Sequence, residues 1–138
     1  MFKTLLKLSL SILLFTASVS SLSYEKMGLT ENLMVIQKLE KALSLTKDET
    51  IKFKVLLLRL GDAHSERARM HFLNASRRKK PNYKTANIDR KKAVNYYLRA
   101  LKFKATPSER VRIHFQIGHL SQMAGNLGLS ERHFKKLI

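Results

Sequence analysis

Residues 111–138 read VRIHFQIGHLSQMAGNLGLSERHFKKLI, and the spacing of their small and aromatic residues indicates two packed helices. Gly118 lies inside the first apolar stretch, where the absence of a side chain allows a second helix to approach closely. Gly125 follows that stretch and tolerates the left-handed backbone with which helices commonly end. Phe134 comes later, where its ring can fill the space beside Gly118. The sequence therefore predicts an antiparallel helical hairpin.

An earlier part of the chain repeats this pattern, with Leu60-Gly61 followed by RKKAVNYYLRAL over residues 90–101. Ala93, Tyr97 and Ala100 occupy small, aromatic and small positions of the second helix. Together the two stretches, about residues 54–138, resemble the tetratricopeptide repeat (TPR). The resemblance implies an all-α fold of antiparallel helical hairpins stacked as a short TPR-like α-solenoid, and a protein that binds partners rather than a catalyst.

The chain departs from the family pattern in several places. Leu57 and His114 stand where the family has tryptophan, and Ser130 replaces the usual alanine of the second helix. The two halves of the first copy are separated by about twenty residues more than a repeat of about 34 residues needs, so residues 77–84 are expected to bulge from the hairpin. A generic helical bundle is the alternative interpretation.

Apolar periodicity and capping residues predict five helices. The first covers residues 31–45, and the second begins at a capping box formed by Thr46 and Glu49 and continues to residue 74. Pro81 and four consecutive cations mark residues 76–88 as a loop. The remaining helices are expected at residues 89–103 with Asp89 as the cap, 107–124 with Thr106 as the cap, and 130–138.

Residues 1–23, MFKTLLKLSLSILLFTASVSSLS, have the order of a secretory signal peptide: two lysines, an apolar stretch and then small residues. The apolar stretch is shorter than the roughly 20 residues of a membrane span. Several alternatives stay open for this segment. It could be cleaved after Ala17, Ser20 or Ser21, it could remain as an uncleaved membrane anchor, or it could form an ordinary first helix. The expected organisation is a signal peptide at 1–23 and a TPR-like domain at 24–138, which is either the N-terminal part of a longer array or a domain completed by a partner. Export places the protein in the periplasm, in the cell envelope or outside the cell.

The composition limits the chemistry that the protein can perform. Among 138 residues, 27 are Lys or Arg and 10 are Asp or Glu, which gives a formal charge of +17. The absence of cysteine excludes disulfides, thiolate nucleophiles and cysteine-ligated zinc. The five histidines lack metal-binding spacing, and no nucleophile, phosphate-loop or dinucleotide motif is present. We therefore predict no catalytic residue, no metal and no cofactor.

Three hypotheses for function follow. The first is an exported, non-catalytic scaffold that binds a peptide or helix of an unknown partner protein in a groove between hairpins. Its candidate groove residues are His64, Arg67, His114 and Gln122.

The alternative is a basic protein that docks on lipid headgroups or an envelope polyanion. Its anion-binding candidates are Arg77, Arg78, Lys79, Lys80, Lys84, Arg90, Lys91 and Lys92. An ordinary solvated face is the simpler interpretation of this tract, and export argues against nucleic acid as its partner. The third hypothesis is a structural subunit that self-associates through its C-terminal helical edge.

Overall fold

A computed structural model describes residues 28–48 and 50–138. These residues form five α-helices and no β-strand, which confirms the prediction of an all-α fold. The helices are α1 (Leu29–Ser44), α2 (Ile51–Ser76), α3 (Lys84–Ala100), α4 (Pro107–Met123) and α5 (Leu127–Phe134), followed by a 3₁₀ turn at Lys135–Leu137. Residues Asn32–Ile138 form one compact unit, and the packing described below lies within it. The predicted signal peptide lies outside the described residues.

Helices that follow one another in the sequence are neighbours in space from α2 onwards. α2 packs against α3, α3 against α4, and α4 against α5, which gives a bundle of antiparallel neighbours. Apolar side chains from α2, α3 and α4 form one core, because each helix turns an apolar stripe toward the other two. The buried members of this core are Phe53, Leu57, Leu58, Ala93, Val94, Tyr97, Ala100, Ile113, Ile117 and Leu120.

The first helix joins the bundle through side chains. Ile36 is buried, and Leu43 packs against the edge of the core. The Asn32 side-chain amide donates a hydrogen bond to the carbonyl oxygen of Ala63 at 3.3 Å. These contacts place α1 beside the long helix α2.

Two glycines each lie directly under an aromatic ring of the next helix. A methyl carbon added at Gly61 would lie 2.7 Å from Tyr97, and one added at Gly118 would lie 2.6 Å from Phe134. Both distances are shorter than van der Waals contact between carbons. The predicted close approach of two helices at Gly118, with Phe134 beside it, is therefore confirmed, and Gly61 and Tyr97 make the same contact between α2 and α3.

The start of α2 differs from the sequence-based prediction. The cap is Thr50, whose hydroxyl oxygen accepts a hydrogen bond from the backbone N–H of Phe53 at 3.1 Å. The Thr46 hydroxyl donates to the carbonyl oxygen of Ala42 at 2.7 Å and so belongs to the end of α1. The prediction of a cap at Thr46 is therefore wrong. Thr46 and Thr50 both precede helix-forming residues, but the helix begins after Thr50, and its first turn places Phe53 in the core.

The start of α3 also differs from the sequence-based prediction. α3 begins at Lys84, whose backbone N–H donates to the side-chain oxygen of Asn82 at 2.9 Å. The connection between α2 and α3 is thus only 77–83, shorter than the predicted loop at 76–88. Asp89 is therefore not a cap; it lies within the second turn of α3 and is buried.

The helices α4 and α5 both begin with a side chain that accepts a backbone hydrogen bond. The predicted cap at Thr106 is confirmed, since its hydroxyl oxygen accepts from the backbone N–H of Glu109 at 3.2 Å. The Glu109 carboxylate also accepts from Lys54 Nζ at 2.9 Å, which joins the start of α4 to the start of α2.

The turn between α4 and α5 contains Gly125, which has the expected positive φ. The Asn126 side chain caps α5 by accepting a hydrogen bond from the backbone N–H of Leu129. α5 therefore begins three residues earlier than predicted.

Replacing Thr50 by alanine is expected to lower the free energy of unfolding by about 1 kcal/mol, because the first turn of α2 loses its side-chain acceptor. The matched control is Thr46→Ala, which removes a hydroxyl from the end of α1 and is expected to cost less. Urea unfolding followed by far-UV circular dichroism measures both values. A larger loss for Thr46→Ala would contradict the position of this helix start.

Candidate functional site

α2, α3 and α4 line an open groove with a volume of about 340 Å³. Apolar or aromatic side chains from all three helices contribute to its lining, namely Ala68, Phe72, Tyr97, Leu120 and Met123. Polar and charged side chains complete the lining, namely Asp62, Ser65, Glu66, Arg69, Arg90, Gln116 and His119. The groove therefore combines an apolar surface with charges of both signs, which is typical of sites that bind peptide segments.

Two carboxylates of α2 lie in this groove, and each has a defined partner. The Glu66 carboxylate accepts two hydrogen bonds from the Arg69 guanidinium, at 2.6 and 2.9 Å. Asp62 accepts from the Tyr97 hydroxyl at 2.5 Å and lies 3.7 Å from Arg112 Nη1. Burial and the bond to Asp62 raise the pKa of Tyr97, so the phenol keeps its proton and remains a donor. This hydrogen bond fixes the orientation of the Asp62 carboxylate.

The four predicted groove residues are placed elsewhere by the structure. His64 is 1% exposed and stacks on Tyr96 between α2 and α3, so its side chain has no access to a partner. Arg67 points toward Asp89, with Nε 3.6 Å from the carboxylate. His114 contacts α5, and Gln122 is exposed but does not line the groove.

Seven of the eight predicted anion-binding residues are exposed, as a solvent-facing charged surface requires. Arg90 is the exception, because its side chain is buried. Its guanidinium lies 5.4 Å from the centre of the Phe72 ring and donates to Asn87 Oδ1 at 2.6 Å. A second bond reaches the carbonyl oxygen of Met123 at 3.3 Å. Arg90 thus connects α3 to α4 and contributes to the groove rather than to the basic surface.

The sequence carries a signal for the groove that the predictions did not use. Asp62 follows Gly61 and His119 follows Gly118, so the two side chains have the same position relative to the two helix crossings. Glu66 and Met123 lie five residues after the same two glycines and also line the groove. Counting from each glycine would have identified these four residues.

A buried carboxylate joins α2 to α3. Asp89 Oδ1 lies 2.9 Å from His64 Nδ1, and Asp89 Oδ2 lies 3.6 Å from both Arg67 Nε and His71 Nε2. One carboxylate therefore faces three groups that carry or can accept positive charge. The arrangement is suited to holding the two helices together. Within residues 28–48 and 50–138, no group of three or more metal-ligating side chains is arranged to hold a metal ion.

A pair of histidines joins α4 to α5. His114 Nδ1 and His133 Nδ1 are 2.9 Å apart, so one ring donates a proton that the other accepts. Burial, Lys136 and Arg110 lower the pKa of His114, and burial, His114, Lys136 and Arg132 lower that of His133. The hydrogen bond between the rings needs at least one of them to be neutral.

The histidine pair is expected to make the folded state less stable in acid. The folded rings bind protons less readily than the unfolded ones, whose pKa is about 6.5. The unfolded state therefore binds more protons as the pH falls from about 6.5, and stability decreases until the folded rings protonate too.

Urea unfolding at a series of pH values, with the wild-type protein and the double variant His114→Gln/His133→Gln, measures this contribution. The variant is expected to show a shallower loss of stability below about pH 6.5. Comparison with the variant is necessary because the chain contains three further histidines, His64, His71 and His119. Identical slopes for the two proteins would show that the pair does not control this transition.

No family model, curated protein or solved structure matches this chain. Every helix in the described part of the chain is too short or too polar to cross a bilayer.

Proposed function

We propose that the protein is an exported, TPR-like scaffold that binds a peptide or helix of a partner protein in the groove between α2, α3 and α4. The observation that supports this most strongly is the groove itself, with its apolar lining and its charged side chains. No catalytic role is proposed for any residue of this groove.

The TPR-like part of the proposal is supported by the repetition of one contact. Gly61 lies under Tyr97 in the first hairpin, and Gly118 lies under Phe134 in the second. In each hairpin the glycine belongs to the leading helix and the ring to the following helix. The leading helices α2 and α4 both line the groove, which is the arrangement that stacked hairpins give to a concave face.

The chemistry of the groove suggests what it would bind. Met123 and the partly exposed Phe72 offer apolar contacts beside the buried Leu120, and methionine adapts its shape to different side chains. Glu66 and Arg69 provide one charge of each sign close to these residues. A segment with one or two apolar anchor side chains flanked by charged residues would complement this surface.

Selection of peptides from a random display library, followed by affinity measurement with groove variants, tests the proposal. Met123→Glu places a charge in the groove at a half-exposed position and is expected to weaken binding at least about tenfold, or about 1.4 kcal/mol. The matched control is Met34→Glu on α1, a methionine of similar exposure outside the groove, which is expected to leave affinity unchanged. Equal effects of the two variants, or no selected peptide, would refute peptide binding in this groove.

Export is a separate part of the proposal and has its own test. It is supported by the order of residues 1–23, where Lys3 and Lys7 precede an apolar stretch and small residues. The intact mass of protein purified from the producing cells is expected to correspond to a chain that has lost this segment. A full-length mass from the cytoplasmic fraction would contradict export while leaving the groove proposal standing.

A further inference from the structure

The connection between α2 and α3 carries a dense group of exposed cations, which we name the basic tip. It consists of Arg77, Arg78, Lys79, Lys80, Lys84, Lys91 and Lys92, and each of these residues is exposed. The one acidic residue between positions 77 and 92 is Asp89, which is buried against His64. The segment therefore supplies no exposed carboxylate to neutralise its own charge.

The rest of the described chain does not neutralise the basic tip either. Within residues 28–48 and 50–138, the ion pairs of Glu66, Glu109 and Glu131 use Arg69, Lys54 and Lys135. The remaining pairs involve Asp62 with Arg112 and the buried Asp89 cluster, so no member of the basic tip takes part. Seven like charges in so small a region repel one another, and an anionic surface would relieve that repulsion.

The side chains around these cations favour a lipid bilayer as the anionic surface. Ile88 is 48% exposed and lies on the same face of α3 as Lys84, Lys91 and Lys92, at spacings of three and four residues. An exposed isoleucine between lysines suits the boundary between headgroups and acyl chains. Duplex or single-stranded nucleic acid offers no comparable apolar layer for this side chain.

The position of Tyr83 also favours a bilayer over nucleic acid. Tyr83 stacks on Phe72 with a distance of 4.9 Å between ring centres, and its hydroxyl lies 3.4 Å from that of Ser76. The ring is thus held against α2. Recognition of single-stranded nucleic acid commonly uses aromatic rings that are free to stack on bases. The basic tip presents cations and an aliphatic side chain instead.

We propose that the basic tip docks the protein on an anionic lipid bilayer, with its lysines and arginines at the headgroups and Ile88 in the interfacial layer. This role goes beyond peptide binding, since the basic tip shares no residue with the groove. A protein with both surfaces would hold its peptide partner close to a membrane.

Sedimentation with vesicles of phosphatidylcholine and phosphatidylglycerol, at low and moderate salt, tests this inference. The variant R77Q/R78Q/K79Q/K80Q is expected to lose affinity for anionic vesicles by about tenfold or more. The control K38Q/K41Q/K47Q/K52Q removes the same charge from four exposed positions on α1, before α2 and at its start. We expect the control to bind nearly as well as the wild type. An equal loss in both variants, or no binding at low salt, would overturn the inference.

A second pair of variants separates a bilayer from a soluble polyanion. Ile88→Ser is expected to weaken binding to the anionic vesicles and to leave binding to heparin and duplex DNA unchanged, because only the bilayer offers an apolar layer. Ile51→Ser is the control, since Ile51 is also highly exposed but lies at the start of α2. Unchanged vesicle binding by Ile88→Ser, or tighter binding to DNA than to vesicles at equal phosphate and salt, would overturn the assignment to a bilayer. Circular dichroism confirms that each variant is folded.

Discussion

Replacing Gly61 by alanine is expected to destabilise the protein by about 1–3 kcal/mol, although alanine is the better helix former by about 1 kcal/mol. The added methyl carbon would lie 2.7 Å from the Tyr97 ring. Tyr97 is buried and bonded to Asp62 at 2.5 Å, so its ring has little room to move aside. The helices would have to separate at this crossing. Urea unfolding followed by far-UV circular dichroism measures the change.

Alanine substitutions at two other glycines provide comparisons for the stability change expected at Gly61. Gly118→Ala meets the Phe134 ring at 2.6 Å, but Phe134 is less buried than Tyr97 and is expected to yield more easily, with a smaller loss. Gly128→Ala is the control, because nothing lies within 4 Å of its added methyl carbon, and it is expected to be neutral or slightly stabilising. If Gly61→Ala behaved like Gly128→Ala, the close approach of α2 and α3 would not depend on the missing side chain.

Replacing Asp89 by alanine is expected to lower the free energy of unfolding by about 3–5 kcal/mol. The carboxylate is buried and lies 2.9 Å from His64 Nδ1, with Arg67 and His71 each at 3.6 Å. Its removal leaves these three groups close together in a poorly solvated region with no opposite charge. A loss of this size is a large part of the 5–15 kcal/mol that typically stabilises a domain, so the variant is expected to be partly unfolded at ordinary temperature.

The control for this variant is Asp48→Ala, which removes an exposed carboxylate from the connection before α2 and is expected to have little effect. A double-mutant cycle with His64→Ala measures how much of the loss arises from the His64–Asp89 pair. Similar unfolding free energies for Asp89→Ala and Asp48→Ala would show that the buried carboxylate does not hold α2 to α3.

The features that the sequence predicted correctly depend on residues close together in the chain. Thr106 and Glu109 form one cap, and Gly125 ends one helix, so neighbouring residues contain the necessary information. The contact between Gly118 and Phe134 also lies within one hairpin with a short turn. Local geometry decided these features.

The features that were wrong depend on contacts between distant residues. Asp89 resembles a helix cap because it precedes an apolar-periodic stretch, but its partner His64 lies 25 residues earlier in the sequence. His64 was one of four residues predicted to face a partner, but its side chain is buried, whereas Asp62 lines the groove. These two residues are separated by about 200° around the helix axis, so an error of two positions moves a residue to the opposite face of the helix. The rotation of α2 is set by its packing against α3 and α4, which only the structure shows.

The most direct test of the groove is an NMR map of backbone amide shifts during titration with a selected peptide. If peptides bind between α2, α3 and α4, the largest shifts will cluster at residues 62–72 of α2 and 116–123 of α4. Largest shifts on α1 or at residues 77–84, with the groove unaffected, would contradict the proposed function.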